Sequence, residues 1–380
     1  MIGDGNNSLK HGIAFHMDII KEKQHFQTAL ISWFGWKKRS LPWRNAPDWY
    51  AVFLSEFLLQ QTQVEQALPY YKRFIGRFPT ISDLAEADEE EVLALWAGLG
   101  YYARARNMLK AARQIVNRHH AAFPRTMEEA LELPGIGSYT AAAILSIAYH
   151  QPWAVVDGNV IRVISRLLAL RDDVRQASVK RRIEAVSQDL IDPSRPGAYN
   201  EAVMELGATI CKPKKPDCAA CPVQTFCLAQ KQELQEVIPF KSAVGKKKSK
   251  KQLVFAVKRN GQLLIVKRPS EGLLGSMWEF PSLESHRLTL SGEEIRQQLK
   301  RGYGISGRIL HVSEPLKHSY SHFSLTYRPV LVEMEEGEVR VTHHVDWRWQ
   351  AEEEFRRIPL HRAHLKIFEW IQKLEVKTKR

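Results

Sequence analysis

From about Lys23 to Glu236 the apolar positions recur at helical intervals. Asp88 followed by Glu91 resembles an N-cap with its capping partner, and Val92, Leu95, Trp96 and Leu99 return on one helical face. Gly98 and Gly100 end that helix, and more short helices are expected between Pro124, Pro134, Pro152 and Pro193. The segment VFLSEFLLQQTQV is apolar nearly all round. On a helical projection Glu56, Gln60 and Gln63 form its one narrow polar stripe, flanked by Val52, Phe53 and Leu59. The pattern then changes. IPFKSAVGKKKSKKQ has little apolar content and five lysines between Lys246 and Lys251, which predicts an exposed linker over 236–251. Beyond it the period shortens to two. LVFAVK, Arg259-Asn260-Gly261 and QLLIVKR predict a strand, a tight turn and a strand. Further strands are expected at Ile309–Val312, Phe323–Val332 and Arg340–Val345, with helices at Gly292–Arg301 and Leu360–Leu374. A mainly α domain over 23–235 followed by an α+β domain over 252–380 is the fold this pattern predicts.

Composition adds a partner. The 380 residues suffice for two or three cores, and the formal net charge is +13, from 55 Lys and Arg against 42 Asp and Glu. Such an excess favours a polyanion through phosphate neutralisation, although solubility alone is the blander explanation. The first 22 residues lack an apolar h-region and read as a disordered leader, in which Met17 could serve as an alternative start. No span reaches membrane length, so a cytoplasmic location and no membrane partner are expected.

The chemistry concentrates in a few places. All four cysteines fall in CKPKKPDCAACPVQTFC, spaced C-x6-C-x2-C-x5-C as Cys211, Cys218, Cys221 and Cys227. Four thiolates without a local histidine make a metal or cluster site. The spacing departs from that of a zinc ribbon, but ligand type alone leaves structural zinc and a [4Fe–4S] cluster both open. Lys212, Lys214 and Lys215 in the same loop would face a polyanion. LPGIGSYTAAAIL is a turn entering a helix, where Gly135 and Gly137 allow close backbone approach and helix N-terminal amides can hold a phosphate. An ordinary helix–helix turn reads the same way. Asp157, in AVVDGNVIRVISRLL, is most simply an N-cap. Glu56 is harder to explain blandly, because a carboxyl on an apolar helix is desolvated and its pKa rises. Breaking a base–sugar C–N bond calls for such a pair: a protonated carboxyl for the leaving base, and an ionised one for the cationic sugar.

Taken together, the cysteine spacing, LPGIGSYTAAAI, VVDGNVIRV, LSEFLLQQTQV and GLGYYARARN resemble the MutY-type adenine DNA glycosylases of the helix-hairpin-helix superfamily. The resemblance covers nearly all of the chain from about residue 23. It implies a helix-hairpin-helix glycosylase domain with an iron–sulfur subdomain, carrying a [4Fe–4S] cluster on the four cysteines, and a Nudix-like C-terminal domain. The implied partner is double-stranded DNA containing A·8-oxoG or A·G mispairs, engaged by a monomer that removes the adenine and so prevents G-to-T transversions. Carried over residue by residue, Glu56 protonates the adenine and Asp157 stabilises or captures the sugar cation. Tyr139 and Asn159 position these groups and the attacking water. Arg39, Trp43, Arg44 and Glu201 form the pocket for the extruded base. Gln61 and Tyr101 insert into the stack, with Thr62 and Leu99 beside them at the opposite base.

Bifunctional relatives carry a Schiff-base lysine where this chain has Tyr139, so the resemblance implies a monofunctional enzyme. In the C-terminal half, GLLGSMWEFPS fits a Nudix turn, but Glu293 and Glu294 do not reproduce the Mg²⁺-binding carboxylate cluster, and binding without hydrolysis is expected. In SYSHF, Ser321 matches the residue aimed at the oxidised guanine, with His322 beside it and Tyr320 where the family usually has Phe. An endonuclease III-like glycosylase–lyase would want a lysine at 139 and no C-terminal domain. A catalytically silent DNA-binding protein would not need Glu56 and Asp157. A nucleotide-pool hydrolase would need the missing carboxylates.

Overall fold

The helical periodicity of the first half is realised in a computed structural model, which describes residues 21–45, 48–242, 248–272, 274–320 and 323–378. The N-terminal leader up to residue 20, the middle of the basic linker, and Ser321 and His322 lie outside the described residues. In chain order the helices of this half are α1 (Lys23–Lys37), α2 (Pro42–Asn45), α3 (Trp49–Leu59), α4 (Val64–Arg77), α5 (Ile81–Glu86), α6 (Glu89–Leu95), α7 (Ala103–His119) and α8 (Met127–Leu131). They continue with α9 (Ser138–Ile147), α10 (Gly158–Leu167), α11 (Ala177–Leu190), α12 (Pro196–Thr209) and the short α13 (Leu228–Lys231). Contacts divide the chain into two compact units. One comprises the described residues within Met1–Val64, Ile75–Ala85 and Lys110–Val244; the other comprises those within Glu65–Phe74, Glu86–Leu109 and Gly245–Arg380.

In the first unit, local chemistry sets the helix ends. Asp48 caps α3 by accepting from Ala51 N–H at 2.6 Å, Thr126 caps α8, and Pro196 occupies the first turn of α12. Phe26, Leu30 and Phe34 of α1 pack with Val160, Val163 and Ile164 of α10 and with Tyr199, Val203 and Leu206 of α12. Each such side chain contributes roughly 1.5–3 kcal/mol on full burial. Helix α3 is buried continuously from Tyr50 to Phe57 and Leu58, as its all-round apolar sequence predicts. Glycine permits two close crossings. A Cβ on Gly197 would lie 2.8 Å from Ile147 Cα, and one on Gly207 would lie 2.6 Å from Asn159 Cβ.

The second unit is built on a mixed sheet. Its strands are β1 (Lys248–Arg259), β2 (Gln262–Lys267), β3 (Trp278–Glu279), β4 (Ser282–Glu284), β5 (Ile305–Val312), β6 (Leu316–Ser319), β7 (Phe323–Gly337) and β8 (Asp346–Ala351). The main order is β3-β2-β1-β7-β5, with β4 on β1, β6 on β7 and β8 on β2. Asn260 and Gly261 both take positive φ, +50° and +77°, which turns β1 into β2 with Arg259 opposite Gln262. The run LVFAV is apolar without alternation because both faces are covered. Val254 and Ala256 pack with α15 (Arg362–Thr378), and Leu253, Phe255 and Val257 with α14 (Gly292–Tyr303).

Two expectations change. Arg340–Val345 is not a strand. β7 ends at Gly337 (φ +112°), after which Arg340 N–H bonds Tyr303 O and Val345 N–H bonds Lys267 O, and pairing resumes only at Asp346 opposite Lys267. The apolar alternation there comes from Val339 and Val341, which anchor the crossing segment against the core without a strand neighbour. Of the stretch read as linker, Lys248–Lys251 are exposed but belong to β1, paired in parallel with Phe323–Thr326. Asp88 does cap α6, but through Glu90 N–H.

Candidate active site

Glu56 sits in the middle of α3, only 5% exposed among phenylalanines and leucines. Burial pushes its carboxyl pKa from the usual carboxylate range up to about 7. The negative charges of Asp157 and Glu201 push in the same direction, while the Tyr139 hydroxyl and the Arg44 charge pull it back. This carboxyl therefore keeps its proton to a higher pH than an exposed glutamate does.

Asp157 caps α10, and the capping geometry also fixes its orientation. Its Oδ1 accepts from Asn159 N–H (2.8 Å) and Val160 N–H (2.7 Å), and its Oδ2 from Asn159 Nδ2 (2.8 Å). Burial raises its pKa too, but three hydrogen bonds and Arg162 oppose the rise by favouring the charged form. The N-cap and the candidate catalytic carboxylate are therefore the same feature seen twice. Tyr139, at the start of α9, donates its hydroxyl to Met204 Sδ at 3.3 Å. Burial and the charges of both Glu56 and Asp157 hold that phenol well above its ordinary pKa, so it stays protonated. Glu56, Asp157, Tyr139 and Asn159 thus converge on one site.

A second layer surrounds them. Arg44 Nε donates to Glu201 Oε1 at 2.8 Å, and Arg44 Nη2 to Glu205 Oε2 at 3.1 Å. Arg39 grips Glu205 through Nε (2.7 Å), Nη2 (3.0 Å) and its backbone N–H (3.1 Å). Trp43, next to Arg44 in α2, is buried. The sequence pattern does not single out Glu205, although it is 1% exposed and is the anchor on which both arginines rest. Burial raises its pKa, but the Arg39 hydrogen bonds and the Arg44 charge bring it below the ordinary value. The missed signal was its spacing, four residues after Glu201 in a helix otherwise filled by Ala202, Val203 and Leu206. Arg162 and Arg166 were missed in the same way, four apart on α10. Arg162 bridges Asn159 Oδ1 and Gly207 O, each at 2.8 Å, and reaches Cys211 O at 2.7 Å.

The hairpin lies between α8 and α9. Gly135 takes φ +77° and accepts at its carbonyl from Gln60 Nε2 (3.4 Å), while Gly137 precedes α9 as its N-cap. Gln61, at φ +57°, and Thr62 form the turn after α3. Leu99 and Tyr101 belong to the other unit, where Leu99 is buried and Tyr101 is 46% exposed.

The four cysteines are half-buried and form no disulfide. Their charges act on one another, with burial as the leading cause pushing the Cys221 thiol up to about 12. The guanidinium of buried Arg166 donates to Cys211 Sγ (3.2 Å), Lys212 O (2.8 Å) and Ile238 O (2.9 Å). Among the described residues, the set of three or more His, Cys, Asp or Glu ligand atoms lying within 4.8 Å of one another is elsewhere, at Glu279, His361 and His364.

That set in the second unit is a hydrogen-bonded charge network. Glu279 is held by Arg268 (3.0 Å), His344 Nε2 (3.0 Å) and His361 Nε2 (3.3 Å). Burial raises its pKa, but these partners take it well below the carboxylate range. His364 spends its Nδ1 lone pair on Phe280 N–H (2.8 Å), which leaves its other nitrogen protonated and no free ligand atom. Glu293 and Glu294 are likewise used locally, Glu293 by Arg296 and Gln297, Glu294 in a capping box with Ser291.

Residues 54–188 match the model of the HhH-GPD superfamily of base excision DNA repair proteins, and residues 253–370 match a NUDIX domain model. The adenine DNA glycosylase of Homo sapiens is 35% identical over 92% of this chain and 74% of its own length. That of Buchnera aphidicola subsp. Schizaphis graminum is 31% identical over 81% of this chain and 88% of its own. A thermostable thymine-DNA glycosylase structure superposes with a TM-score of 0.51 at 25% identity, covering 56% of this chain and 98% of that one.

Proposed function

Because the chain belongs to the adenine DNA glycosylase family, we propose that it hydrolyses the N-glycosidic bond of adenine facing 8-oxoguanine or guanine and leaves an abasic site. The observation that carries this reading is a buried carboxyl with a pKa of about 7 sharing one site with a carboxylate oriented by three donors. Protonated Glu56 delivers its proton to the extruded adenine, making it a neutral leaving group. As the C–N bond stretches, positive charge develops on the deoxyribose, and ionised Asp157 stabilises or traps it. Water positioned by Tyr139 and Asn159 then adds at C1′, freeing Asp157 and giving up the proton that restores the acid. Asn159 holds Asp157 in place, and Arg39, Trp43, Arg44 and Glu201 form the base pocket. Two facts support single activity without strand cleavage. Position 139 carries a phenol, which forms no imine, and its surroundings keep it protonated.

The loop of Cys211, Cys218, Cys221 and Cys227 fits a [4Fe–4S] cluster through its four free thiols, one of which accepts a hydrogen bond from Arg166. Such a group would serve here as a structural brace. Ser321 and His322 are proposed to read the opposite base, and the protein to act as a monomer on double-stranded DNA. Single-turnover assays on A·8-oxoG, A·G and A·C duplexes, with and without alkali, test the proposal. Breaks appearing only after alkali, with Glu56→Gln and Asp157→Asn each slowed about 10²- to 10⁴-fold while still binding duplex, are expected. Near-normal excision by either variant, or cleavage without alkali, would refute it.

A further inference from the structure

Between α6 and α7 the second unit holds an exposed aromatic ring on a backbone that resists being there. Gly98 and Gly100 take φ of +93° and +78°, and Tyr101 follows at +50°. The left-handed region costs a residue with a Cβ roughly 1–2 kcal/mol. Bonds from beneath hold the turn. Tyr70 Oη donates to Ala97 O at 2.8 Å, and Gly98 N–H donates to Tyr102 Oη at 3.1 Å. A Cβ on Gly98 would sit 2.8 Å from that Tyr70 oxygen. Two donors then meet at Gly100 O: Trp96 Nε1 at 2.9 Å and Arg104 Nη2 at 3.2 Å.

Arg104 is the unexpected member. It is 8% exposed, yet its guanidinium lies 5.0 Å from the Trp96 ring and 5.6 Å from the Tyr101 ring. Its own N–H donates to Tyr101 O at 2.9 Å. Burial lowers its pKa to about 10, so it stays charged at neutral pH. A planar cation taken out of water and set against two aromatic faces restricts where each ring can lie. Trp96 is fully buried, whereas Tyr101 is 46% exposed.

We infer that Arg104 is a positioning residue that presets the Tyr101 ring as the wedge entering duplex DNA when a base pair opens. This rests on the reading of Tyr101 as an inserted side chain. A ring already held in place needs no ordering at the moment of insertion, so part of the unstacking cost is met by the fold. Lysine cannot replace the arginine fully, because it lacks both the planar face and the fork that reaches Gly100 O.

The test compares two duplexes under single turnover with the full, iron-loaded chain. In one, adenine faces 8-oxoguanine; in the other it faces a tetrahydrofuran abasic analogue, so no partner base has to be displaced. Arg104→Gln is expected to slow excision about three- to thirtyfold on the mispair. On the abasic-facing duplex it should fall within about twofold of the unsubstituted chain. Arg104→Lys should lie between, and Tyr101→Ala should lose at least as much as Arg104→Gln on the mispair. Equal loss on both duplexes would mean a merely structural arginine and overturn the inference. A loss with Tyr101→Ala but none with Arg104→Gln would overturn it while leaving the wedge intact. No effect of Tyr101→Ala on the mispair would remove the wedge reading and the inference with it.

Discussion

Burial raises the Glu56 pKa to about 7, and that shift has two measurable consequences. In the proposed mechanism excision requires Glu56 protonated, so the single-turnover rate should fall as pH rises through about 7, while protonation of Asp157 should limit the rate at the acidic end. A rate profile flat from about pH 6 to about pH 9 would contradict the assigned roles. The second consequence concerns stability. The folded-state pKa of Glu56 is raised, so the folded protein binds a proton that the unfolded chain has released. That favourable contribution is complete below about 4.5 and is lost as pH rises through about 7. Glu56→Gln, which never ionises, should therefore be more stable than the parent above pH 7, by up to about 3 kcal/mol, with the advantage shrinking toward pH 5. Melting curves at the two pH values measure it, and an equal difference at both would show that ionisation is not the cause. Glu56 was legible because a carboxylate amid VFL and FLL has few structural excuses. Asp157 was only half legible, because the pattern of an N-cap is the same whether or not the carboxylate also does chemistry.

Among elements, the crossing of α12 over α10 is the one on which the site depends most closely. Gly207 brings the helix against Asn159, whose amide orients Asp157 and whose carbonyl oxygen is held by Arg162. Gly207→Ala would place a methyl group 2.6 Å from Asn159 Cβ and 3.1 Å from its Cα, so backbone has to move. A destabilisation of about 1–3 kcal/mol is expected, with a loss of excision beyond what the folded fraction explains. A variant as active per folded molecule as the parent would show that Asn159 tolerates displacement. Glycine at 207 carries no signal in a single sequence, because close approach is a property of two helices. The acidic pair Glu201 and Glu205 and the basic pair Arg162 and Arg166 could have been found from their four-residue spacing. Their partners could not, since Arg39 lies 166 residues from Glu205. The strand misplaced at Arg340–Val345 has the same origin: alternating valines report burial, whereas a strand also needs a neighbour with free backbone groups.

For the whole molecule, the formal charge of +13 and the exposed Lys212, Lys214 and Lys215 of the cysteine loop bear on affinity for DNA. If several phosphates are neutralised, log K should fall linearly with log salt, with a slope of about −0.9 for each phosphate contacted. Charge reversal of Lys212 and Lys214 should flatten that slope by one to two contacts' worth while single-turnover chemistry on saturated complex is unchanged. An unaltered slope would place the loop away from the phosphates. The linear order of residues was enough to announce two folds, a helical one and one with a sheet, together with the acidic pair, the hairpin and the four clustered cysteines. Each of these is written in local spacing, which periodicity and turn chemistry fix on their own. What only the three-dimensional arrangement decided was the value of the Glu56 pKa, the anchoring of Arg39 and Arg44 on Glu205, the route from Cys211 through Arg162 to Asn159, and the guanidinium beneath Tyr101. Those depend on desolvation and on contacts across scores of residues, and neither quantity exists until the helices have packed.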